Sequence, residues 1–255
     1  MIIGGLQKFS MLDYPGHLSA IIFTQGCNFN CQFCYNPMLV AWSITGKFKQ
    51  KGHSPIIKED GLFVFLKSRI GKLEAVVITG GEPTMQPDLP DFLAKIKKLG
   101  YLVKLDTNGS NPKMIKNLID KKLIDYIAMD IKAPKDKYKK IIGKPIDFAK
   151  IKKSVKIIME SPPRQAGEAG PPRLGEAGGL QYEFRTTAVP GLLDKNDIIK
   201  IAKTIKGARV WYLQRFKSNV GLLNKKLQGI KPFTEAEMKE MRKLAEKYVK
   251  ICEIR

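Results

Sequence analysis

The sequence predicts an α/β chain folded as a partial (β/α)6 TIM-like barrel, and three observations carry that expectation. From about Ala20 onward, short β-branched or apolar runs alternate with segments of helical period, as expected when helices pack over a parallel sheet. At 255 residues and 44% hydrophobic content, the chain is long enough to bury one sizeable core, so a single domain over 1–255 is expected. Polar or glycine-rich clusters follow the apolar runs, at the strand ends where a parallel sheet gathers functional groups.

Six strands are expected at Ala20–Thr24, Ala75–Thr79, Leu102–Asp106, Tyr126–Asp130, Tyr182–Ala188 and Arg209–Gln214. Between the second and third, Asp88 precedes Leu89, Phe92, Leu93 and Ile96 on one face before Gly100, which reads as a capped and stopped helix. The next crossover opens with Asn111 and Pro112, an N-cap and a first-turn proline, and sets Met114, Ile115, Leu118 and Ile119 inward. Another helix runs from Asp194 through Ile198, Ile201, Ala202 and Ile205 to Gly207. The last begins with Thr234 and Glu237 in capping-box spacing and continues with Met238, Met241, Leu244, Ala245 and Tyr248. The clusters Thr24–Cys34, Thr79–Thr84, Asp106–Gly109, Asp130–Lys132, Arg185–Thr187 and Gln214–Arg215 should then converge on one mouth. The segment Ser161–Leu180 departs from this pattern: four Pro and five Gly in twenty residues, without Lys or Ile, read as a disordered insertion.

Composition limits the function classes. Apolar runs such as Met38–Trp42 and Leu62–Leu66 fall far short of the roughly 18 apolar residues a membrane helix needs, so no spanning segment is expected. Met1–Gly5 has no basic residue ahead of an apolar core and does not read as a secretory signal, so a cytoplasmic location is expected. The net charge of +21 reads as a Lys-rich solvated surface; nucleic acid is not indicated, because no basic tail and no aromatic-interleaved basic motif accompanies it. There is no P-loop, GxGxxG or GxSxG, which removes the usual NTPase, dinucleotide and hydrolase signatures.

Three of the four cysteines, Cys27, Cys31 and Cys34, crowd into eight positions as C-x3-C-x2-C just after the first strand, a pattern of metal binding rather than of a disulfide framework. A structural zinc site takes four ligands, and the remaining Cys252, His17 and His53 are not at finger spacing from the triplet, so zinc is the weaker alternative. A [4Fe–4S] cubane held by three thiolates leaves one iron open, and soft thiolates select such clusters.

On these residues the sequence resembles the radical S-adenosylmethionine (SAM) superfamily, whose mark is a CxxxCxΦC loop after the first strand, with Phe33 here at the aromatic position. Gly80–Pro83, GGEP, looks like the family segment that holds the methionine amino group of SAM. Asp106–Gly109 (DTNG) and Met129–Lys132 (MDIK) look like strand ends of glycyl-radical activating enzymes. Gly4–Gly16 and Glu183–Gly191 are similar to activating proteins of anaerobic ribonucleoside-triphosphate reductase.

The resemblance implies a [4Fe–4S] cluster on Cys27, Cys31 and Cys34, SAM as the second cofactor, and a 5′-deoxyadenosyl radical that takes hydrogen from a partner glycine. Phe33 would flank the adenine or shield the cluster. Gly80 and Gly81 would let backbone approach the ligand, or simply make a tight turn. Glu82 and Thr84 would meet the ammonium, Lys132 and Arg185 the carboxylate, and Asn108 would lie among the SAM contacts. Asp106 and Asp130 would bind ribose or a monovalent cation, and Cys252 would be an idle thiol. The partner implied is a glycyl-radical enzyme, foremost an anaerobic ribonucleotide reductase, with flavodoxin or ferredoxin as electron donor. The alternatives are an activase of a pyruvate formate-lyase type enzyme, a small-molecule or RNA-modifying radical SAM enzyme, or a non-catalytic Fe–S or zinc protein that binds nucleic acid. One departure bears on the partner: many such activases continue the cysteine loop with His-Asn-Pro, where this chain has Tyr35-Asn36-Pro37.

Overall fold

The computed structural model describes residues 1–40, 56–161 and 180–255. Apart from its end residues Ser161 and Leu180, the segment expected to be a disordered insertion lies outside the described residues, as does His53. In chain order the elements are β1 (Ile3–Ser10), β2 (Ser19–Thr24), α1 (Pro37–Val40), α2 (Glu59–Ser68), β3 (Ala75–Gly80), α3 (Leu89–Lys98), β4 (Leu102–Thr107), α4 (Pro112–Asp120), β5 (Tyr126–Asp130), α5 (Lys135–Ile142), α6 (Phe148–Met159), β6 (Gln181–Ala188), α7 (Lys195–Thr204), β7 (Val210–Arg215), α8 (Glu235–Ala245) and β8 (Ile251–Ile254).

The strands form one eight-stranded sheet in chain order. All neighbours pair in parallel except β1, which runs antiparallel to β2. The six strands read from the sequence are β2 to β7, each within one residue at either end. The expectation of six strands needs extending at both edges. β1 carries Gly4 and Gly5 and lacks an alternating pattern, and β8 has only four residues, so neither shows the signal of a half-buried strand.

Period-two alternation divides the sheet into two faces. Ile22, Val76, Ile78, Val103, Leu105, Ile127, Phe184, Trp211 and Leu213 are buried in the large core that also holds Leu93, Ile115, Ile151, Ile201 and Met238 from the helices. The opposite face holds a smaller cluster of Tyr14, Ile21, Ala75, Val77, Tyr126 and Ala128. Tyr14 meets Tyr126 edge-on at 5.7 Å, so the segment after β1 plugs the apolar part of this inner face. On β4, β5 and β6 the same alternation brings polar residues onto the inner face next, namely Lys104, Asp106, Asp130, Glu183 and Arg185.

Of the four helix starts expected from the sequence, three are capped by the expected side chain and one is not. Asn111 accepts from the Met114 amide at 3.2 Å, and Thr234 with Glu237 forms the expected capping box. Asp88, expected to cap α3, makes no capping bond; its carboxylate takes the Met1 ammonium instead, a full charge in place of a neutral amide.

Candidate active site at the strand ends

All six sequence-predicted clusters reach one cavity of about 230 Å³ at the C-terminal ends of β2 to β7. Its wall includes Cys27, Cys31, Phe33 and Cys34 from the loop after β2, Gly80 to Glu82 at the end of β3, Asp106 to Asn108 at β4, Asp130 and Lys132 at β5, Arg185 and Thr187 on β6, and Gln214 on β7. Thr84 is the one candidate residue that the structure leaves off this wall.

Neighbours on both sides hold the cysteine loop. The amides of Asn30 and Gln32 donate to the carbonyls of Ile142 and Ile141 at the end of α5, at 2.8 and 3.2 Å. From the segment after β7, Asn224 donates its backbone N–H to the Gln32 carbonyl and its Nδ2 to Gln32 Oε1, each at 2.9 Å. Tyr35, which stands where a histidine was expected from the resemblance, lies parallel to Phe216 at 6.4 Å, and its hydroxyl accepts from the Lys217 amide at 2.9 Å. The loop is thus tied to both α5 and the end of β7.

Gly80 and Gly81 touch the cavity, but backbone packing is what demands them. Gly80 has φ +115°, and a Cβ there would lie 2.4 Å from the Thr24 nitrogen. A Cβ on Gly81 would lie 1.9 Å from the Gly26 carbonyl oxygen, one residue before Cys27. The glycines therefore let the end of β3 lie against the chain that carries the first cysteine. Two backbone bonds use that approach, from the Gly81 amide to Thr24 O at 2.9 Å and from the Glu82 amide to Gly26 O at 2.8 Å.

Glu82 is buried, and its carboxylate joins two strand ends. Thr84 donates its amide at 3.1 Å and its hydroxyl at 2.5 Å, Thr107 its hydroxyl at 2.6 Å, and Asn108 its amide at 2.7 Å. Burial pushes this carboxyl above its ordinary range, and the four donors act against that. Thr84 is thereby a donor to Glu82, which explains its place behind the wall.

Across the cavity runs a ladder of charge. Lys104 pairs with Asp106 at 2.7 Å, Arg185 spans Asp106 at 3.2 Å and Asp130 at 2.8 Å, and Lys132 pairs with Asp130 at 2.8 Å. Burial alone would raise Asp130, but Arg185 and then Lys132 overcome it and hold the carboxyl at about 2. Asp106 is lowered likewise, with burial opposed by Arg185 and Lys104. Lys132 also sits over the Phe33 ring, 5.7 Å from its centre. Deeper on the same face, buried Glu183 accepts from the Tyr126 hydroxyl at 2.7 Å and from Arg255 at 3.2 Å. Sequence reasoning missed Lys104 and Glu183, although each lies two residues before a predicted site residue and so shares its face.

Burial dominates the thiols. Cys27 is pushed up to about 12 by burial and then by the Glu82 carboxylate, and Cys31 to about 11 by burial with Lys132 pulling the other way. Cys34 is raised for the same first reason. Ionising three such thiols together requires a positively charged centre among them, as metal coordination supplies. Among the described residues no group of three His, Cys, Asp or Glu side chains is drawn around a single point to hold one ion. A cubane takes each thiolate on a different iron, so three cysteines spread along one cavity wall fit a cluster. Cys252 is buried on β8, away from this wall.

The Radical SAM superfamily model matches residues 21–162, which includes the cysteine loop and the ends of β2 to β5. The chain belongs to the radical SAM superfamily. It is therefore an enzyme whose family cofactors are a [4Fe–4S] cluster and SAM. A protein of Methanocaldococcus jannaschii, named as a candidate glycyl-radical enzyme activating enzyme, is 33% identical over 97% of this chain and 93% of its own length. The pyruvate formate-lyase-activating enzyme of Clostridium pasteurianum is 30% identical over 97% of this chain and 96% of its own. Among solved structures, TYW1 with a lysine-pyruvate adduct shares the fold with a TM-score of 0.55 at 16% identity, over 90% of this chain and 73% of that one. Streptococcus suis SuiB bound to its precursor peptide SuiA has a TM-score of 0.57 at 16% identity, over 92% of this chain and 48% of that one. No helix among the described residues is long and apolar enough to cross a membrane.

Proposed function

We propose that this radical SAM enzyme is an activase that abstracts hydrogen from a glycine of a partner enzyme, and that the partner is an anaerobic ribonucleoside-triphosphate reductase. One observation carries the reading: three cysteines of one loop and a charged ladder from three strands face the same 230 Å³ cavity. The full-length similarity to activating enzymes supports the class of reaction. Gly4–Gly16 and Glu183–Gly191 support the choice of reductase by their similarity to its activating proteins. A second reading, activation of a pyruvate formate-lyase, is favoured by the identity to the Clostridium protein.

Cys27, Cys31 and Cys34 would hold the cluster. When bound, the cluster would supply one electron to SAM, whose reductive cleavage would provide the 5′-deoxyadenosyl radical that takes hydrogen from the partner glycine. The chain's own residues would orient and shield. Lys132 and Arg185, which line the cavity and are held in place by Asp130 and Asp106, would offer charged donors to the carboxylate of SAM. Glu82 would present negative charge toward the ammonium, although its lone pairs already serve Thr84, Thr107 and Asn108. Phe33, buried and overlaid by Lys132, would keep water from the loop.

The test is anaerobic reconstitution with iron and sulfide, reduction by dithionite, and assay of 5′-deoxyadenosine by chromatography. A glycyl radical seen by EPR on a reductase incubated with the loaded enzyme supports the first reading, and one formed only on a pyruvate formate-lyase supports the second. Absence of SAM cleavage by protein carrying a full cluster would overturn both.

A further inference from the structure

Asn108 sits at the end of β4, where backbone and side chain are pinned separately. Its amide donates to Glu82 Oε2 at 2.7 Å, and its Oδ1 accepts from the Ser110 amide at 2.9 Å. Its Nδ2 donates to Asn28 Oδ1 at 2.9 Å and lies 4.0 Å from Cys27 Sγ. Asn28 is held in turn, donating its own Nδ2 to Ser110 Oγ at 2.8 Å. Oδ1 fixed by Ser110 settles which end of the carboxamide is the donor, so an N–H2 group is aimed between Asn28 and the sulfur. Cys27 also receives the Phe29 amide at 3.4 Å. No such side-chain donor is found for Cys31 or Cys34 among the described residues.

Cys27 has reason to need one. Glu82 lines the same cavity and its amide donates to Gly26 O, one residue before Cys27, at 2.8 Å, and negative charge on its carboxylate opposes any further negative charge on the sulfur. Reduction of a cluster bound to Cys27 would add one electron to that neighbourhood, and N–H donors to ligand sulfur favour the reduced state.

We infer that Asn108 is a positioning residue that directs its carboxamide N–H at Cys27 Sγ and thereby raises the reduction potential of the bound cluster. The inference rests on the cluster assignment proposed above. It gives Asn108 a role toward the thiolate, distinct from a contact with SAM. The redox step it acts on is a one-electron transfer, in which a low-potential reductant loses one electron and the cluster gains it, with no bond made or broken.

The test is an EPR-monitored redox titration of the reconstituted full chain, without SAM, for the wild type, Asn108→Ala, Asn108→Asp and Asn28→Ala. At the wild-type midpoint, Asn108→Ala should hold about tenfold less reduced relative to oxidised cluster, a shift of about 59 mV to more negative potential. Asn108→Asp keeps the size and the acceptor for Ser110 but replaces the donor by a carboxylate, so it should shift further. Asn28→Ala removes the competing acceptor and should leave the potential unchanged or raise it. An unchanged potential in Asn108→Asp would overturn the inference, as would a fall in Asn28→Ala equal to that in Asn108→Ala, which would make loop packing the cause. If Asn108→Ala holds no cluster, Asn108→Asp and Asn28→Ala decide. A wild type without a reducible four-iron signal would instead contradict the proposed function, a separate outcome.

Discussion

Asp130 and Arg185 are register partners on neighbouring parallel strands, and their side chains meet as well, with Arg185 Nε donating to Asp130 Oδ1 at 2.8 Å. Arg185 continues to Asp106 on β4, so one guanidinium ties the ends of three successive strands around the cavity.

Removal of Asp130 should therefore be felt in stability and in its pH dependence. Asp130→Asn takes from Lys132 its paired carboxylate and leaves Arg185 with Asp106 and Glu183, and should cost about 2 kcal/mol at pH 7. In the wild type the Asp130 carboxyl lies at about 2 against an ordinary 3.8. A depressed folded value means a contribution fully present above pH 4 and lost as pH falls toward 2, amounting to about 2 kcal/mol. Thermal melts between pH 7 and 2 should show a shallower acid loss in Asp130→Asn; parallel curves would contradict the pairing.

Replacing any one of Cys27, Cys31 or Cys34 by Ala should abolish both cluster retention and 5′-deoxyadenosine formation. Cys252→Ala should keep both, because that thiol is buried on β8 away from the cavity wall. Iron and sulfide content per chain, with the cleavage assay, reads the difference. Loss of the cluster in Cys252→Ala would contradict the ligand assignment.

Gly81→Ala should displace the cysteine loop, since its Cβ would fall 1.9 Å from Gly26 O, a rigid backbone atom. Overpacking of this kind costs about 1–3 kcal/mol. Reduced iron content and a lower Tm are expected. Gly221→Ala, where a Cβ meets nothing within 4 Å, should alter neither.

The formal charge of +21 should act chiefly on the encounter with an acidic partner surface. Raising salt from about 0.05 to 0.5 M should slow glycyl-radical formation on the partner more than partner-independent SAM cleavage, because screening shortens the reach of exposed charge. Equal salt sensitivity of the two reactions would remove the electrostatic role.

What the sequence determined by itself was whatever a short window contains. Apolar runs and caps set β2 to β7 and the positions of α3, α4, α7 and α8, and C-x3-C-x2-C with GGEP marked the cavity wall, because strand alternation and ligand spacing are local. Only the tertiary structure decided which distant groups share that wall. Glu82 meets Thr107 and Asn108 across 25 and 26 positions, and Arg185 reaches Asp130 and Asp106 across 55 and 79. Those meetings depend on strand register, and a slip of one residue would turn Arg185 onto the helix-packed face. The roles changed accordingly: Thr84 serves Glu82 behind the wall, and Gly80 and Gly81 serve the contact with the cysteine loop. The edge strands stayed illegible for the same reason, since β1 and β8 are strands by virtue of the neighbours they pair with, and pairing is a property of the folded sheet.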